Sequence, residues 1–508
     1  MSHRVRRWEV VVLVLAVAMT ILRFYCAARV GLGDDESYYW DWSRRLQLSY
    51  YDHPAMTAWL IKIGTLIFGQ NSLGVRFFAL LCNAGSGYLL WKLATEIFDR
   101  ATALIAVVFY IFAPIFSLGG ILMVPDAPMG LAWVALLLIV WRMLKSDDTR
   151  LSTWLGAGLV LGLGLISKYT IILLAISLVL FLLSEPSYRR HLFAKRFWLA
   201  LALAAICCLP IIIWNSQLGW PTVKYHLHDR QTGGGGASLV RWGQFWGSQA
   251  ITLGPALLLL CLGTWIVAVR RFRDLRWRFI FVMTFPTFAL FCFQALYAEF
   301  KPHWPAPSYS LVFIGGARLM VEGFGLTNLK NPARAVVAAF ILVIFIPLNV
   351  LFYVGSLWPV IPKIARAVAP NLAFDIKFDP TNDLYGWDAL AIHLNEIRAE
   401  MSKKGEPEPF LSSSRYQLTG QLAFATKETV WRVSPDNDQY KFWQTRADWL
   451  PLLGRNSLYV TDSRFERDPR NDFIFKSCTV DPPYLVYRGD ELAHKFFIWR
   501  CQGFTGIR

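Results

Sequence analysis

The hydrophobic and polar positions of this chain alternate in long blocks. Apolar runs of roughly 17–23 residues recur from the N-terminus to about residue 356, each suited to crossing about 30 Å of hydrocarbon as a helix. The candidate spans are 8–28, 73–97, 101–118, 127–145, 151–166, 168–184, 197–214, 247–269, 277–297, 306–320 and 334–356. They predict an all-α polytopic membrane bundle of about eleven transmembrane helices. The link 29–72 is too long for a turn. Its "SYYWDWSRRLQL" is aromatic and amphipathic, and its "PAMTAWLIKIGTLIFG" starts at a proline with apolar residues at helical spacing. Both read as helices lying in the membrane interface. Taking 56–69 as one more span would invert the remaining topology, so that reading is set aside.

After about Pro370 the pattern changes. "DPTNDLYGWDALAIHLNEIRAEMSKKGEPEP" reads as a turn, a helix and a charged loop. The strand-like runs "PFLSSS", "ETVWRVS", "SLYVTDS", "FIFKSCTV" and "KFFIWRC" follow. The expected division is a transmembrane domain over 1–360 and a small soluble α/β domain over 361–508.

Composition agrees with the membrane reading. Of 508 residues 55% are hydrophobic, and the mean hydropathy is +0.39, too apolar for a typical soluble chain. The formal charge of +16 is mostly topology. Its cations cluster in the short links "SHRVRR", "WRMLKSDDTR", "YRRHLFAKR" and "RRFRDLRWR", the signature of the cytoplasmic side. No recognition motif accompanies them, which excludes a nucleic-acid partner. The N-terminus is then inside, while the 31–56 stretch and the C-terminal domain are outside. The basic N-terminus followed by an apolar run also fits a cleavable signal, but a retained anchor keeps the acidic segment tethered. Six cysteines lie in or beside apolar spans as packing residues. Cys478 and Cys501 lie in the polar tail, where export would permit a disulfide that spacing alone does not decide.

Chemistry concentrates in the outside links. "GLGDDESYYWDWSRRLQLSYYDHPAM" carries Asp34, Asp35, Glu36, Asp41, Asp52 and His53. Any one such acid reads simply as a solvated loop residue; the constellation does not. Asp126 stands in "LMVPDAPMGLAW", where Pro125 and Pro128 stiffen the turn. Lys168 stands in the tight turn "ISKYT", and "YAEFKPHWPAPSY" adds Glu299, Lys301 and His303. "HLHDRQTGGGGASLVRW" reads either as a passive linker or as a mobile lid carrying His226, His228, Asp229 and Arg230 beside Gly233, Gly234, Gly235 and Gly236. Carboxylates can take a proton from an attacking hydroxyl, and Lys, Arg and His can stabilise a departing phosphate. A transporter or flippase would instead need ionisable groups near the midplane, where the spans are nearly free of them. The acids and His53 could form a cation site, but no compact ligand motif appears, so no metal or other cofactor is expected.

The order of Asp35-Glu36-Ser37-Tyr38-Tyr39, Tyr50-Tyr51-Asp52-His53-Pro54, Val124-Pro125-Asp126-Ala127-Pro128 and Ser167-Lys168 resembles the C-type glycosyltransferases. The nearest branch holds the dolichyl-phosphate-mannose protein mannosyltransferases and the lipid A aminoarabinose transferases, and the likeness covers about residues 1–350. The resemblance implies inverting transfer of a sugar from a polyprenyl phosphate to an acceptor hydroxyl. The acceptor would be lipid A, lipopolysaccharide or another envelope glycan, with a protein hydroxyl as the alternative. It implies Asp35 as the catalytic base, supported by Glu36, Asp126 as the second acidic position and Lys168 near the lipid phosphate. A shifted register would promote Asp34 in place of Asp35. His53 stands where the aminoarabinose transferases carry a lysine. Lys301, His303 and Arg230 are further phosphate candidates from the residues themselves.

Overall fold

The structure is a computed structural model, and it describes residues 3–226, 236–324, 349, 351–368, 375–376, 379–434, 436–472 and 474–506. Helices α1 (His3–Arg29), α2 (Asp34–Arg44), α3 (Met56–Phe68) and α4 (Ser72–Ile97) open the chain. Next come α5 (Arg100–Phe112), α6 (Pro114–Gly119), α7 (Asp126–Ser146), α8 (Leu151–Leu165) and α9 (Ile172–Ser184). The helical series continues with α10 (Lys195–Cys207), α11 (Leu209–Gln217), α12 (Leu239–Leu253), α13 (Pro255–Arg270), α14 (Leu275–Tyr297) and α15 (Ala306–Phe324). The chain forms two compact units interleaved in sequence. One comprises Met1–Tyr25, Gln47–Thr57 and Arg76–Asn349; the other comprises Cys26–Leu46, Ala58–Val75 and Val350–Arg508.

In the first unit the expected apolar blocks are helical, but several are broken where the sequence carries proline or glycine. The 101–118 block divides into α5 and α6 at Ala113, because Pro114 cannot donate to the preceding turn. The 197–214 block bends by 46° between α10 and α11, where Cys208 precedes α11 and Pro210 stands in its first turn. The 247–269 block is no straight span. Gly254 takes φ +83°, Pro255 opens α13, and α12 meets α13 at 107°. Among the described residues four helices are long and apolar enough to cross a membrane, or up to six if each bent pair is one span. Four shorter apolar helices lie at Met56–Phe68, Arg100–Phe112, Leu151–Leu165 and Tyr169–Ser184. Most of the expected 334–356 span lies outside the described residues.

Lipid supplies no hydrophobic force between helices, so close backbone approach must hold them together. Gly158 and Gly162 provide it on α8. A Cβ at Gly158 would lie 2.2 Å from the Ala200 carbonyl oxygen on α10, and one at Gly162 would lie 2.6 Å from the Cys207 Cβ. Gly158→Leu is therefore expected to push α10 away and cost about 1–3 kcal/mol. The check is the thermal midpoint of detergent-purified protein, against Gly156→Leu, whose Cβ would meet nothing within 4 Å. Arg23, buried in α1, ties three helices by donating to Asn83 Oδ1 (2.6 Å) and to the Ile111 carbonyl (2.9 Å).

The second unit joins α2 and α3 to α16 (Val360–Val368), α17 (Trp387–Lys403), α18 (Tyr416–Thr426) and a six-stranded mixed sheet. Its strands are β1 (Phe410–Ser413), β2 (Val430–Arg432), β3 (Ser457–Asp462), β4 (Phe475–Val480), β5 (Tyr484–Arg488) and β6 (Glu491–Phe504). The order is β2-β1-β3-β6-β4, with β5 also on β6; β1 runs parallel to β2 and β3, and β6 antiparallel to its partners. The five expected strand runs are present. β5, a sixth, turns back into β6 through Gly489 at φ +61°. Cys478 and Cys501 face each other in register on β4 and β6 and form a disulfide, which answers the question that spacing left open.

Candidate active site

In the second unit, the three consecutive acids sit in the first turn of α2, where the helix dipole favours negative charge. The structure gives each a different task. Glu36, 1% exposed, turns back so that its carboxylate accepts the Gly33 N–H at 2.9 Å, which caps the helix. Asp34 accepts from Gln421 Nε2 (3.2 Å) and from Arg464 Nη1 (3.0 Å). Asp35 is exposed, and Tyr416 donates its hydroxyl to Asp35 Oδ1 at 3.2 Å. Asp41, deeper in the helix, is buried and pairs with Arg44 at 3.2 Å.

Tyr416, Gln421 and Arg464 were not read from the sequence, nor was helix α18. That helix connects the parallel strands β1 and β2, and Arg464 lies two residues beyond β3. The start of α2 thus meets segments that leave the carboxyl ends of parallel strands, the usual place for ligands on such sheets. The approach is close. A Cβ at Gly420 would lie 2.8 Å from the Tyr38 backbone nitrogen. The Tyr38 ring packs on Tyr416 (centroids 4.6 Å apart) and Tyr440 (5.6 Å), and its hydroxyl accepts the Gln439 N–H at 2.7 Å. The available signal was the apolar spacing Leu418, Leu422, Ala423, interrupted in the sequence by Gly420.

Behind this surface Arg464 gathers three carboxylates: Asp34 at 3.0 Å, Asp383 at 2.7 Å and Asp462 at 2.7 Å. Burial, reinforced by Arg464, pulls the His494 imidazole down to about 4. Burial pushes Asp383 up to about 6, against the pull of Arg464. These two shifts oppose each other. Between pH 6.5 and 4 the native state binds fewer protons at His494 than the unfolded chain, so that contribution to stability is lost as pH falls. Between pH 6 and 3.8 the native state binds more protons at Asp383, so stability is gained as pH falls. Asp383→Asn removes the gain, and its melting temperature should drop more steeply than that of the wild type from pH 6.5 to 4. Parallel pH profiles would contradict the assignment.

The first unit holds a second cluster. Residues Ser49–Pro54 close a tight hairpin, with Ser49 bridged to Pro54 and the Tyr50 N–H donating to the His53 carbonyl at 3.2 Å. Its neighbours fix its position: Met56 N–H donates to the Ile166 carbonyl, Thr222 Oγ1 to the Tyr50 carbonyl, and His226 Nε2 lies 3.1 Å from the Asp52 carbonyl. In the adjoining turn Lys168 is 6% exposed, and its Nζ meets Asp126 Oδ1 and Oδ2 at 2.8 and 2.7 Å. Asp126 opens α7, behind Pro125. His303 Nε2 stands 3.9 Å from Asp126 Oδ2, and His53 lies within electrostatic reach of the same carboxylate. Lys301 and His303 are exposed on a turn held from behind, where the buried Gln249 donates to the Pro302 carbonyl and accepts from the Tyr309 hydroxyl. Asp126, Lys168, His53 and His303 are thus together in one place. Gly236 lies where the chain bends, whereas His228, Arg230 and Gly233–Gly235 lie outside the described residues.

The second acidic position and the buried lysine therefore form one bidentate ion pair. Asp126 compensates most of the Lys168 charge, so an arriving dianion would draw its extra attraction from His53, His303 and Lys301. Among the described residues no group of three or more His, Cys, Asp or Glu side chains is placed to hold a metal ion.

Residues 52–214 match the family model described as dolichyl-phosphate-mannose-protein mannosyltransferase. A lipid A galacturonosyltransferase of Rhizobium johnstonii is 26% identical over 276 residues, 54% of this chain and 58% of that protein. An undecaprenyl phosphate-alpha-4-amino-4-deoxy-L-arabinose arabinosyl transferase of Pseudomonas fluorescens is 27% identical over 243 residues, 44% of this chain and 37% of that protein. The chain spans less than two thirds of the length of these curated relatives. Among solved structures, ArnT from Cupriavidus metallidurans shares the fold at a TM-score of 0.64 and 12% identity, over 97% of this chain and 98% of that one. The archaeal oligosaccharyltransferase AglB from Archaeoglobus fulgidus, in complex with an inhibitory peptide and a dolichol-phosphate, gives 0.53 at 13% identity, over 85% and 65%. Over residues 52–214 the chain is thus similar to the dolichyl-phosphate-mannose-protein mannosyltransferase family model, and it shares the fold of ArnT, in keeping with the resemblance to the C-type glycosyltransferases that its motifs carry.

Proposed function

We propose that this protein is an inverting glycosyltransferase of the bacterial inner membrane, moving a sugar from undecaprenyl phosphate to an envelope glycolipid such as lipid A. In this reading the N-terminus is cytoplasmic, about eleven helices span the membrane, and the C-terminal domain and active site face the periplasm. The observation that carries it is the division among the acids of α2: Glu36 caps the helix and Asp34 is held by Arg464 and Gln421, while Asp35 is exposed at the surface. Asp35 then takes the proton from the acceptor hydroxyl as its oxygen attacks the anomeric carbon. The bond from that carbon to the lipid phosphate breaks, and the phosphate leaves with the electron pair. Lys168, oriented by Asp126, stabilises that charge together with His53, His303 and Lys301. The leaving group is a phosphate monoester, so the reading calls for no metal. The names of the relatives support the donor class and a lipid A acceptor.

Mass spectrometry of envelope lipids from cells with and without the gene tests the proposal. Loss of one sugar mass from a glycolipid is expected. Unchanged lipids with a lost protein glycan would favour the protein-directed alternative, which the description of the matching family model also suggests. Unchanged glycans with impaired movement of a lipid-linked sugar would favour a flippase.

His53 gives this chain a pH dependence that a lysine would lack, because histidine changes charge between about pH 5 and 8. His53→Lys should bind undecaprenyl phosphate with a flatter Kd profile between pH 6 and 8 than the wild type. Identical profiles would remove His53 from the phosphate site.

A further inference from the structure

Within the first unit, α7, α8, α9 and α10 enclose an apolar cavity of about 240 Å³. Leu136, Val140, Leu161, Ala175, Val179 and Leu201 line it, and His191 stands among the lining residues as the polar one. Of the lining residues Ile172 and Ile176 are also exposed, and the same two helices expose Leu180 and Leu183 on α9 and Leu159 and Leu163 on α8. A cavity of this lining would not retain water, and its surroundings are those of a surface bathed in lipid chains.

Its polar end is built. His191 is 2% exposed and packs on Trp154. Arg196 Nη2 donates to His191 Nδ1 at 3.1 Å, so His191 Nε2 carries the proton that faces Asp147 Oδ1 at 3.2 Å. Arg190 pairs with the same carboxylate. The Arg196 guanidinium lies over Trp154 at 5.7 Å, and its buried Nε has no hydrogen-bond partner among the described residues. The segment Pro186–Arg196 holds Arg189, Arg190, Lys195 and Arg196 and no acid. Phe193 within it and Trp198 just beyond it are exposed, as aromatic residues are at headgroup depth.

We infer that this cavity binds one acyl chain of an anionic phospholipid, whose phosphate is held by Arg190, Lys195 and Arg196. Charge decides against the sugar carrier as occupant. On α7, Asp126 opens the helix, whereas Leu136, Val140 and Leu144 beside the cavity lie about 15–27 Å further along it. A polyprenyl chain whose phosphate sits near Lys168 would bring no anion to the cations at the opposite end. An anionic phospholipid satisfies both ends at once, as lipids do in basic pockets between membrane helices. The exclusion of the carrier rests on the proposed phosphate site at Lys168, whereas the apolar cavity and its basic end do not.

The test uses full-length protein in a mild detergent, with native mass spectrometry of lipid retained after adding phosphatidylglycerol, phosphatidylcholine of the same chains, or undecaprenyl phosphate. Phosphatidylglycerol should be retained preferentially and be lost in Ala175→Trp, which fills the cavity. Each cation removed in Arg190→Gln and Lys195→Gln should lower its retention about fivefold. These surface variants leave the packed interior untouched, so they decide the matter even where Ala175→Trp does not fold. Equal retention of the two phospholipids, or retention of phosphatidylglycerol unaltered by the charge variants, overturns the inference. Loss of undecaprenyl phosphate from a folded Ala175→Trp protein also overturns it, by giving the cavity to the carrier chain.

Discussion

Asp35→Asn is expected to lower the rate of sugar transfer by about 10²–10⁴-fold, the usual loss when a well-placed general base is removed, and to leave the melting temperature unchanged. The two halves of this expectation rest on one geometry. Asp35 is exposed, so its charge carries little of the fold's stability, and an amide of equal shape fits the same space. The amide cannot accept the proton of the attacking hydroxyl. Its neighbours should give the reverse pattern. Asp34→Asn weakens the contact to Arg464, and Glu36→Gln weakens the cap on Gly33, so both should lower stability more than turnover by the remaining folded protein. Tyr416 is a positioning residue: Tyr416→Phe should shift the pH–rate profile set by Asp35 while preserving most of the maximal rate. Transfer assayed with purified protein and a polyprenyl-phosphate sugar checks all four. Near-normal transfer by folded Asp35→Asn removes the base assignment.

Arg464→Met carries the second large effect, a loss of about 3–5 kcal/mol from the second unit, because it leaves buried carboxylates without their cation. Three acids converge on this one guanidinium, and Asp462 is fully buried. Losses of this size are a large share of the roughly 5–15 kcal/mol that holds a domain folded. Arg464→Lys should recover only part of it, since a single ammonium cannot reproduce a fork aimed at three carboxylates. Chemical unfolding followed by tryptophan fluorescence is the measurement. A folded Arg464→Met protein within about 1 kcal/mol of wild type would show that the cluster is no stabilising centre.

How legible these features were depends on the range of the interactions behind them. The apolar blocks were readable because each span is a local property, a run of residues matched to the bilayer. Their breaks were less so: Gly254-Pro255 sits in an otherwise continuous block, and only the chain's path turns a local glycine and proline into a 107° corner. Asp126 and Lys168 were each marked by their own turn, but their union was not. They come from different links, and the ion pair changes Lys168 from an uncompensated phosphate anchor into one half of a pair.

By itself the sequence determined the apolar helices, the links rich in acids and cations, and the helix and strand runs after Pro370, because spacing, charge and turn residues act over a few positions. The roles within "GDDES" belong to tertiary structure alone. Arg464 lies 430 residues from Asp34, and Tyr416 lies 381 residues from Asp35. Three neighbouring carboxylates are chemically almost alike until the fold brings a guanidinium to Asp34, a phenol to Asp35 and a backbone amide to Glu36. Burial and partner then separate a buried brace, a buried cap and one exposed carboxylate.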